Sequence, residues 1–287
     1  MEFVSKNLDG IIDLALREDI GNGDLTTLAC VSPNTEGDAD ILCKSGGVLS
    51  GQAVAQQVFK KVDERIRYEP LVTDGSNVKA NTVVASVTGK LTSLLTGERV
   101  ALNFLMRMSG IATFTERFVR EVTGTGVAVL DTRKTTPGLR ELEKHAVLCG
   151  GGVNHRKGLY DMILIKDNHI RAAGSVSEAL KRCRDYVEET GREVPVEIEV
   201  GSSIELEQSL DSGATRIMLD NMDTAQVREA VERIRRVPGN IKVEISGGVT
   251  LANVRELAEC GVDYISVGAL THSAPSLDFS LNIVKTA

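Results

Sequence analysis

The sequence predicts an α/β protein in which a small α+β half precedes a series of parallel βαβ units. The first half contains short β-prone pieces separated by turn residues, whereas the second half alternates short apolar runs with amphipathic helical segments. The 287 residues leave room for a barrel and a smaller partner domain. With 42% hydrophobic and 25% charged residues, the composition is that of a chain able to bury a core.

The N-terminal half begins with a predicted helix over residues 7–19, where apolar residues recur at helical spacing and Gly21 and Gly23 follow as stop signals. Short β-prone pieces and one further helix come next. The predicted strands, helix and hairpin turn are Ala39–Cys43, Val83–Val87, Val54–Val62 and Asp74-Gly75. This half is therefore interpreted as a small α+β domain.

A long helical stretch over Gly97–Thr123 is expected to join the two halves. The apolar runs that follow are Val127–Leu130, Met162–Ile165, Val194–Val200, Arg216–Leu219, Ile241–Ile245 and Tyr264–Val267. Predicted helices lie between most of them, at Ser177–Glu189, Ile204–Leu210, Thr224–Arg235 and Leu251–Glu259. Six or seven such units suit a shortened barrel, and a doubly wound open sheet fits the periodicity almost as well.

Composition argues against several classes of function. The net charge of −7, with four Tyr, six Phe and no Trp, disfavours nucleic-acid binding, which needs a basic surface and aromatic platforms. No apolar run is long enough to span a bilayer, and no signal core is evident. The five widely spaced cysteines form no C-x-x-C pair. We therefore expect a cytoplasmic protein without nucleic-acid or membrane partners.

Charged or small polar residues follow nearly every apolar run of the second half. They are Asp131, Arg133, Lys134, Lys166, Asp167, Glu199, Asp220, Ser246-Gly247-Gly248 and Gly268. In a parallel barrel all these strand ends meet on one face, which is where active sites are built. Residues 131–171 also carry eight Lys/Arg against five Asp/Glu, although the whole protein is acidic. This segment predicts a site for a small anion.

Two features within these runs indicate phosphate or metal chemistry. Glu197 and Glu199 share one face of their strand, and either could hold a ribose hydroxyl or Mg²⁺. For Glu197 an internal salt bridge to a lysine inside the barrel is an equal alternative. The trios Ser246-Gly247-Gly248 and Val267-Gly268-Ala269 follow the last two strands, where loop amides of such barrels often cradle a phosphate.

Three longer motifs are specific. They are Asp131-Thr-Arg-Lys-Thr-Thr-Pro-Gly138, Cys149-Gly-Gly-Gly-Val-Asn-His-Arg156 and Leu164-Ile-Lys-Asp-Asn-His169. With shorter matches such as Gly97-Glu98-Arg99 and Leu219-Asp220-Asn221, in order over almost the whole chain, they resemble the quinolinate phosphoribosyltransferase family. The resemblance implies an N-terminal α/β sandwich domain (residues 1–108) and an incomplete, open, six- or seven-stranded α/β barrel (residues 109–287). It leaves open whether the last residues pack back on the N-terminal domain.

The resemblance also implies an activity and its residues. The family converts quinolinate and phosphoribosyl pyrophosphate, with Mg²⁺, into nicotinate mononucleotide, pyrophosphate and CO₂. Quinolinate would be held by Arg133, His155, Arg156 and Lys166, and by Arg99 from the partner subunit of a homodimer with shared active sites; further assembly is left open. Lys134 would contact the phosphoribosyl substrate or both substrates. Glu199 and Asp220 would hold the ribose hydroxyls and Mg²⁺, so Lys134, Lys166, Glu199 and Asp220 are the predicted catalytic set.

Three alternatives remain at this point. They are a molybdenum-transport-associated paralogue, a binding protein or sensor without turnover, and a plain nicotinate phosphoribosyltransferase. The intact basic set Arg99, Arg133, His155, Arg156 and Lys166 favours a pyridine dicarboxylate over the first and the third. The presence of Glu199, Asp220 and both glycine loops favours turnover over the second.

Overall fold

The computed structural model describes residues 7–286. In chain order its elements are α1 (Leu8–Ile20), α2 (Leu25–Cys30), β1 (Glu36–Cys43), β2 (Gly47–Val48), α3 (Gln52–Val62), β3 (Arg67–Pro70), β4 (Asn77–Val78), β5 (Thr82–Lys90), α4 (Leu91–Glu121), β6 (Ala128–Leu130), α5 (Arg140–Cys149) and β7 (Ile163–Ile165). They continue with α6 (Asp167–Ala173), α7 (Val176–Thr190), β8 (Val196–Val200), α8 (Ser203–Asp211), β9 (Arg216–Asp220), α9 (Thr224–Arg236), β10 (Lys242–Ser246), α10 (Val254–Ala258), β11 (Tyr264–Ser266), α11 (Ala269–His272) and β12 (Phe279–Thr286).

The chain divides into two compact units. The first unit consists of Met1–Glu116, Thr135–Gly151 and Leu270–Ala287, and the second of Arg117–Lys134 and Gly152–Ala269. The sequence predicted a single boundary after residue 108. The compact units change after residues 116, 134, 151 and 269, because α5 and the C-terminal strand belong with N-terminal elements, and the domain boundary itself stays a prediction.

The first unit is built on a four-stranded antiparallel sheet of order β12-β1-β5-β3. Strand β1 buries every second side chain, and β12 pairs with it along its length, with Phe279 opposite Cys43. Helix α3 contributes Val58 and Phe59, both fully buried, to the core. The α/β layering predicted for this half is confirmed.

The predicted hairpin at Asp74-Gly75 is wrong in its partners. A turn is present, but β3 before it belongs to the four-stranded sheet, whereas β4 after it pairs with β2 in a separate two-stranded sheet. The Asp74 carboxylate accepts the backbone N–H groups of Gly51 (2.9 Å) and Gln52 (3.2 Å) at the start of α3. The turn therefore caps a helix instead of closing two neighbouring strands.

The second unit is built on a six-stranded parallel sheet of order β6-β11-β10-β9-β8-β7. Strands follow each other around the sheet, and the first strand, β6, lies beside the last, β11. A doubly wound sheet would reverse its strand order at an interior switch point. The sequential order with first and last strands adjacent is that of an α/β barrel, here left open between β6 and β7.

Helices connect the barrel strands and begin at side-chain caps. Ser175, Ser202 and Asp223 accept backbone N–H groups at the starts of α7, α8 and α9. Helix α9 buries one apolar stripe against the sheet, formed by Val227, Ala230, Val231 and Ile234. Over residues 7–286, no helix is both long and apolar enough to cross a membrane.

Candidate active site

A buried charged network fills the interior of the barrel. Arg216 Nε donates to Glu197 Oε1 at 3.0 Å, and its Nη2 donates to Glu244 Oε2. Ser266 Oγ donates to the other oxygen of Glu244, and the Arg216 guanidinium lies 4.5 Å from the centre of the Tyr264 ring. Both carboxylates are fully buried. The network is possible because one cation bridges two carboxylates that would otherwise repel.

Burial raises the pKa of both carboxyl groups. Burial, followed by the neighbouring Glu197, raises the pKa of Glu244 to about 7, although His155, Ser266 and Arg216 act in the opposite direction. Burial also raises the pKa of Glu197, against the attraction of Arg216. The pair therefore retains a proton at pH values where an exposed glutamate is fully ionised.

The segment that carries His155 and Arg156 is fixed at the open edge of the barrel. Val153 forms a single parallel bridge with Leu130 of β6, and its N–H donates to Val129 O at 2.9 Å. The carboxylate of the buried Asp131 accepts the His155 N–H at 2.8 Å. Backbone pairing thus covers part of the gap beside β6 and places the two site residues at the end of that strand.

Two contacts define the protonation of the His155 ring. The Arg156 N–H donates to His155 Nδ1 at 2.7 Å, and His155 Nε2 lies 3.0 Å from Glu197 Oε2. Because Nδ1 accepts, the proton of the neutral ring is assigned to Nε2, where it is donated to Glu197. Glu197 of the interior network therefore orients the His155 ring.

Cationic side chains gather beside His155. Arg156 is buried and donates from Nη1 to Met162 O at 3.1 Å. Burial and then repulsion by Arg133 lower the pKa of Arg156. A buried guanidinium that is repelled by a second guanidinium is a favourable neighbour for an anion. Arg133 and Lys134 are exposed in the loop after β6, where the Lys134 N–H donates to Thr132 Oγ1 at 3.0 Å.

Lys166 and Glu199 form an ion pair at the ends of β7 and β8. The Lys166 Nζ donates to Glu199 Oε2, with 42% of the lysine side chain and 15% of the glutamate side chain exposed. The backbone N–H of Lys166 donates to His169 Nδ1 at 2.9 Å, so the first turn of α6 fixes the lysine. This pair joins a partly exposed cation to a carboxylate at the carboxyl ends of neighbouring strands.

Asp220 is held at the end of β9 by a contact that depends on a glycine. Asn221 Nδ2 donates to Asp220 Oδ2 at 2.7 Å, and Asn221 itself has a positive φ of 54°. A Cβ on Gly247 would lie 2.3 Å from Asn221 Oδ1. Gly247, with φ 89°, therefore lets the loop after β10 approach closely enough for Asn221 to orient Asp220.

The two glycine loops differ in what they can offer a phosphate. Ser246 ends β10 beside the end of β9, since it pairs with Asp220, and Gly247 and Gly248 follow it. In the other trio, the Val267 N–H donates to Leu130 O at 2.9 Å. This pairing contradicts the expectation that the Val267 amide binds phosphate, because the amide extends the sheet. Gly268 and Ala269 lie at the following turn, before and at the start of α11.

Most of the predicted site residues lie in the second unit, at or near the carboxyl ends of its strands. These residues are Arg133, Lys134, His155, Arg156, Lys166, Glu199, Asp220, Ser246, Gly247, Gly248, Val267, Gly268 and Ala269. Arg99 belongs to the first unit, on α4, with 57% of its side chain exposed and Glu98 at 3.9 Å.

Sequence reasoning missed Arg216, Glu244, Asn221 and His169. A period-two argument extended to β9 and β10 would have found the first two, because Arg216 shares a face with Asp220, and Glu244 with Ser246. For Glu197 the internal salt bridge is the alternative observed, with Arg216 as its cationic partner instead of a lysine. Asn221 and His169 carry no sequence signal of their own, since their roles depend on neighbouring loops.

Comparison with known proteins agrees with this geometry. The family model for the quinolinate phosphoribosyl transferase C-terminal domain matches residues 111–282, and that for the N-terminal domain matches residues 24–109. The chain is 43% identical to quinolinate phosphoribosyltransferase (decarboxylating) 2a, mitochondrial, of Nicotiana tabacum, over 96% of this chain and 82% of that one. The crystal structure of NadC from Streptococcus pyogenes has a TM-score of 0.92 and 38% identity, covering 99% of this chain and 100% of that one.

The fold and the site define an α/β-barrel protein that presents a cationic anion site beside carboxylates at the carboxyl ends of its strands. With both domain models matched and relatives above 40% identity over nearly the full length, the chain belongs to the quinolinate phosphoribosyltransferase family. A structure of nicotinate-nucleotide pyrophosphorylase from Francisella tularensis is also similar, with a TM-score of 0.91 and 35% identity over 98% of each chain.

Proposed function

We propose that this chain transfers the phosphoribosyl group of phosphoribosyl pyrophosphate to quinolinate and decarboxylates the product, giving nicotinate mononucleotide, pyrophosphate and CO₂. The observation that carries the proposal is that Arg156 with its neighbour Arg133, and Lys166 paired with Glu199, lie at or near the carboxyl ends of strands of one barrel. The cations fit a dianionic pyridine, and the carboxylate fits a ribose that gains positive charge.

The basic residues bind quinolinate. Arg156, whose guanidinium is buried close to Arg133, grips one carboxylate, and Arg133 approaches from the exposed loop. His155 directly precedes Arg156 in the chain, and Lys166 directly follows β7. Arg99 completes the grip from the second copy in a homodimer with shared active sites. Its exposed position on the first unit supports that assignment, because the side chain is accessible to another subunit.

The acidic residues and the two glycine loops bind the phosphoribosyl substrate and Mg²⁺. Glu199 and Asp220 end adjacent strands, and carboxylate oxygens that leave room for substrate phosphates suit Mg²⁺. The donor set therefore fits the ion, which would neutralise charge on the departing pyrophosphate. Lys134 contacts the phosphoribosyl substrate, and the amides of the loop after β10 and of the turn after Val267 receive its phosphate.

The chemistry requires positioning and charge stabilisation without a covalent nucleophile. The ring nitrogen of quinolinate forms a bond to C1 of the ribose as the bond from C1 to pyrophosphate breaks, and pyrophosphate keeps the electron pair. Glu199 and Asp220 balance the oxocarbenium-like charge that develops on the ribose. The pyridinium nitrogen then accepts electron density as CO₂ leaves, and a proton replaces the lost carboxylate. Lys166 and Lys134 neutralise the anions on either side.

The state of the cysteines bears on the cellular compartment in which the protein acts. Cys30, Cys43, Cys149, Cys183 and Cys260 are all free thiols. Unpaired cysteines are typical of a reducing compartment. We therefore assign the protein to the cytoplasm.

The test follows both products. Purified protein is mixed with quinolinate, phosphoribosyl pyrophosphate and Mg²⁺, and nicotinate mononucleotide and CO₂ are measured together, with nicotinate as the control substrate. Equal amounts of mononucleotide and CO₂ from quinolinate alone are expected. Turnover of nicotinate, or binding of quinolinate without product, would contradict the proposal. The Glu199→Gln and Asp220→Asn double variant should lose at least about two orders of magnitude in kcat, because charge stabilisation in the transition state is removed.

A further inference from the structure

A second group of ligand-type side chains lies in the first unit, outside the candidate active site. His145 and Cys149 stand one turn apart on the same face of α5, and Asp74 reaches them from the turn before β4. His145 Nε2 lies 3.4 Å from Cys149 Sγ and 3.6 Å from Asp74 Oδ2. The ring is buried, whereas Asp74 and Cys149 are partly exposed, so one side of the group is open to solvent.

We propose that Asp74, His145 and Cys149 form a binding site for a divalent cation of the zinc class, with Oδ2, Nε2 and Sγ as ligands. Tetrahedral zinc with ordinary bond lengths places a nitrogen and a sulfur ligand about 3.6 Å apart, and a nitrogen and an oxygen ligand about 3.4 Å apart. The separations from Nε2, 3.4 Å and 3.6 Å, are close to these values, and all three ligand atoms lie within 4.8 Å of one another. The fourth position remains for water.

The surroundings of Asp74 hold it in place as a ligand. Its two oxygens accept the N–H groups of Gly51 and Gln52. Gln52 is itself fixed, because its Nε2 donates to Val72 O and Val84 O at 2.8 Å each. Ligands oriented by such outer contacts bind metals more tightly than free side chains.

Charge separates this site from the one other group of potential metal ligands found in the described part of the chain, namely His155, Glu197 and Glu244. In that group Arg216 already supplies the cation to both carboxylates. In the first unit, a thiolate from Cys149 and the carboxylate of Asp74 balance a doubly charged ion, with His145 neutral. The ligand types, one soft and two borderline or hard, suit zinc or cobalt better than magnesium.

Without a metal, the same three groups form a hydrogen-bonded cluster around an imidazolium. Burial lowers the pKa of His145, but contacts with Asp74 and Cys149 outweigh burial and raise it to about 9. A ligating imidazole is neutral, so metal binding displaces a proton from His145. The metal-bound and the hydrogen-bonded states are distinguishable by spectroscopy.

Cobalt substitution tests the proposal on the full chain. After dialysis against a chelator, Co²⁺ is titrated at mildly alkaline pH and the absorption spectrum recorded. We expect a thiolate-to-cobalt charge-transfer band and tetrahedral d–d bands that saturate near one equivalent per chain, and loss of both when Zn²⁺ is added. Absence of a charge-transfer band in the wild-type protein would overturn the proposal.

Variants locate the site. Cys149→Ser should abolish the charge-transfer band, and His145→Gln should weaken Co²⁺ binding at least tenfold. Cys183→Ser, at a partly buried thiol on α7 of the second unit, should change neither. Far-UV circular dichroism shows whether each variant is folded. If Cys149→Ser does not fold, His145→Gln, which keeps the thiol, tests the site through its weaker Co²⁺ binding. A band that persists in a folded Cys149→Ser protein would also overturn the proposal.

Discussion

Glu197 and Glu199 lie two positions apart on one face of β8, yet their surroundings give them different tasks. Glu197 is fully buried between His155 and Arg216, whereas Glu199 faces the barrel mouth and pairs with Lys166. The alternation of a strand assigns both to the interior face. Depth along the strand, which the sequence pattern does not contain, decides which one is structural and which one is accessible to substrate.

Glu197→Gln should destabilise the protein by about 1–3 kcal/mol, because the amide has only one acceptor oxygen for Arg216 and His155 and leaves one of these buried donors without an acceptor. Urea denaturation of wild-type and variant protein measures this loss.

The matched control is Glu207→Gln, which removes a surface partner of Arg233. That pair is more than two-fifths exposed at both side chains, so the change should cost far less stability than Glu197→Gln. Similar losses in the two variants would mean that the interior network contributes no more than a surface pair.

At the scale of elements, the loops after β9 and β10 act as one structure. Gly247→Ala would place a methyl group 2.3 Å from Asn221 Oδ1 and displace the side chain that orients Asp220. We expect a fall in kcat of tenfold or more and a loss of about 1–3 kcal/mol in stability, since the positive φ of 89° is also unfavourable for alanine.

Gly248→Ala separates the effect of backbone strain from the effect of a clash with Asn221. Its φ of 62° is also positive, but a Cβ there has no neighbour within 4 Å among the described residues. It should therefore lose a comparable amount of stability through strain and retain most of its turnover. Steady-state kinetics and urea midpoints for both variants test the distinction, and equal kcat values would contradict a positioning role for Asn221.

Helical glycines in the first unit provide a second pair. A Cβ on Gly110 of α4 would lie 2.1 Å from Pro275 O, whereas a Cβ on Gly10 of α1 would have no neighbour within 4 Å. Gly110→Ala should destabilise by about 2 kcal/mol or more through overpacking, and Gly10→Ala should stabilise by about 0.5–1 kcal/mol through helix propensity. Thermal denaturation of both variants measures the opposite signs, and stabilisation by Gly110→Ala would contradict the close packing of α4.

The sequence predicted elements better than it predicted partners. Helix α1 and the six barrel strands appear within a few residues of the predicted runs, because burial imposes a period on the sequence. The Asp74-Gly75 turn was found, but its neighbouring strands went to different sheets, since a dipeptide carries no information about distant pairing. Likewise the Val267 amide was assigned to phosphate although it continues the sheet beside β6.

At the scale of the whole molecule, the charged residues at the strand ends could be predicted from the sequence. The contacts that hold those residues in place could not. The Lys, Arg, Glu and Asp residues at strand ends follow from the geometry of parallel sheets, in which carboxyl ends converge. The support comes from residues distant in sequence. Arg216 joins β8 to β10, and the Val153 bridge covers the edge of β6, so both depend on which strands become neighbours.

The interior network also makes the stability of the folded chain depend on pH. The pKa of Glu244 is about 7 in the folded protein, above its ordinary value of 4.5, and the groups around it are Glu197, His155, Arg216 and Ser266. A raised pKa means that the folded state binds more protons than the unfolded state between these values. The contribution of Glu244 to stability is therefore fully present below pH 4.5 and is lost as the pH rises through about 7.

Glu244→Gln tests this dependence because glutamine stays neutral throughout. We expect the unfolding free energy of the wild-type protein to fall more steeply with pH than that of the variant between pH 4.5 and 7, even though the variant is less stable overall from losing one acceptor for Arg216 and Ser266. Urea denaturation at several pH values measures both slopes, with Glu207→Gln again as the exposed control. Parallel curves for wild-type and Glu244→Gln protein would mean that the buried carboxyl is ionised throughout, with Arg216 compensating both charges.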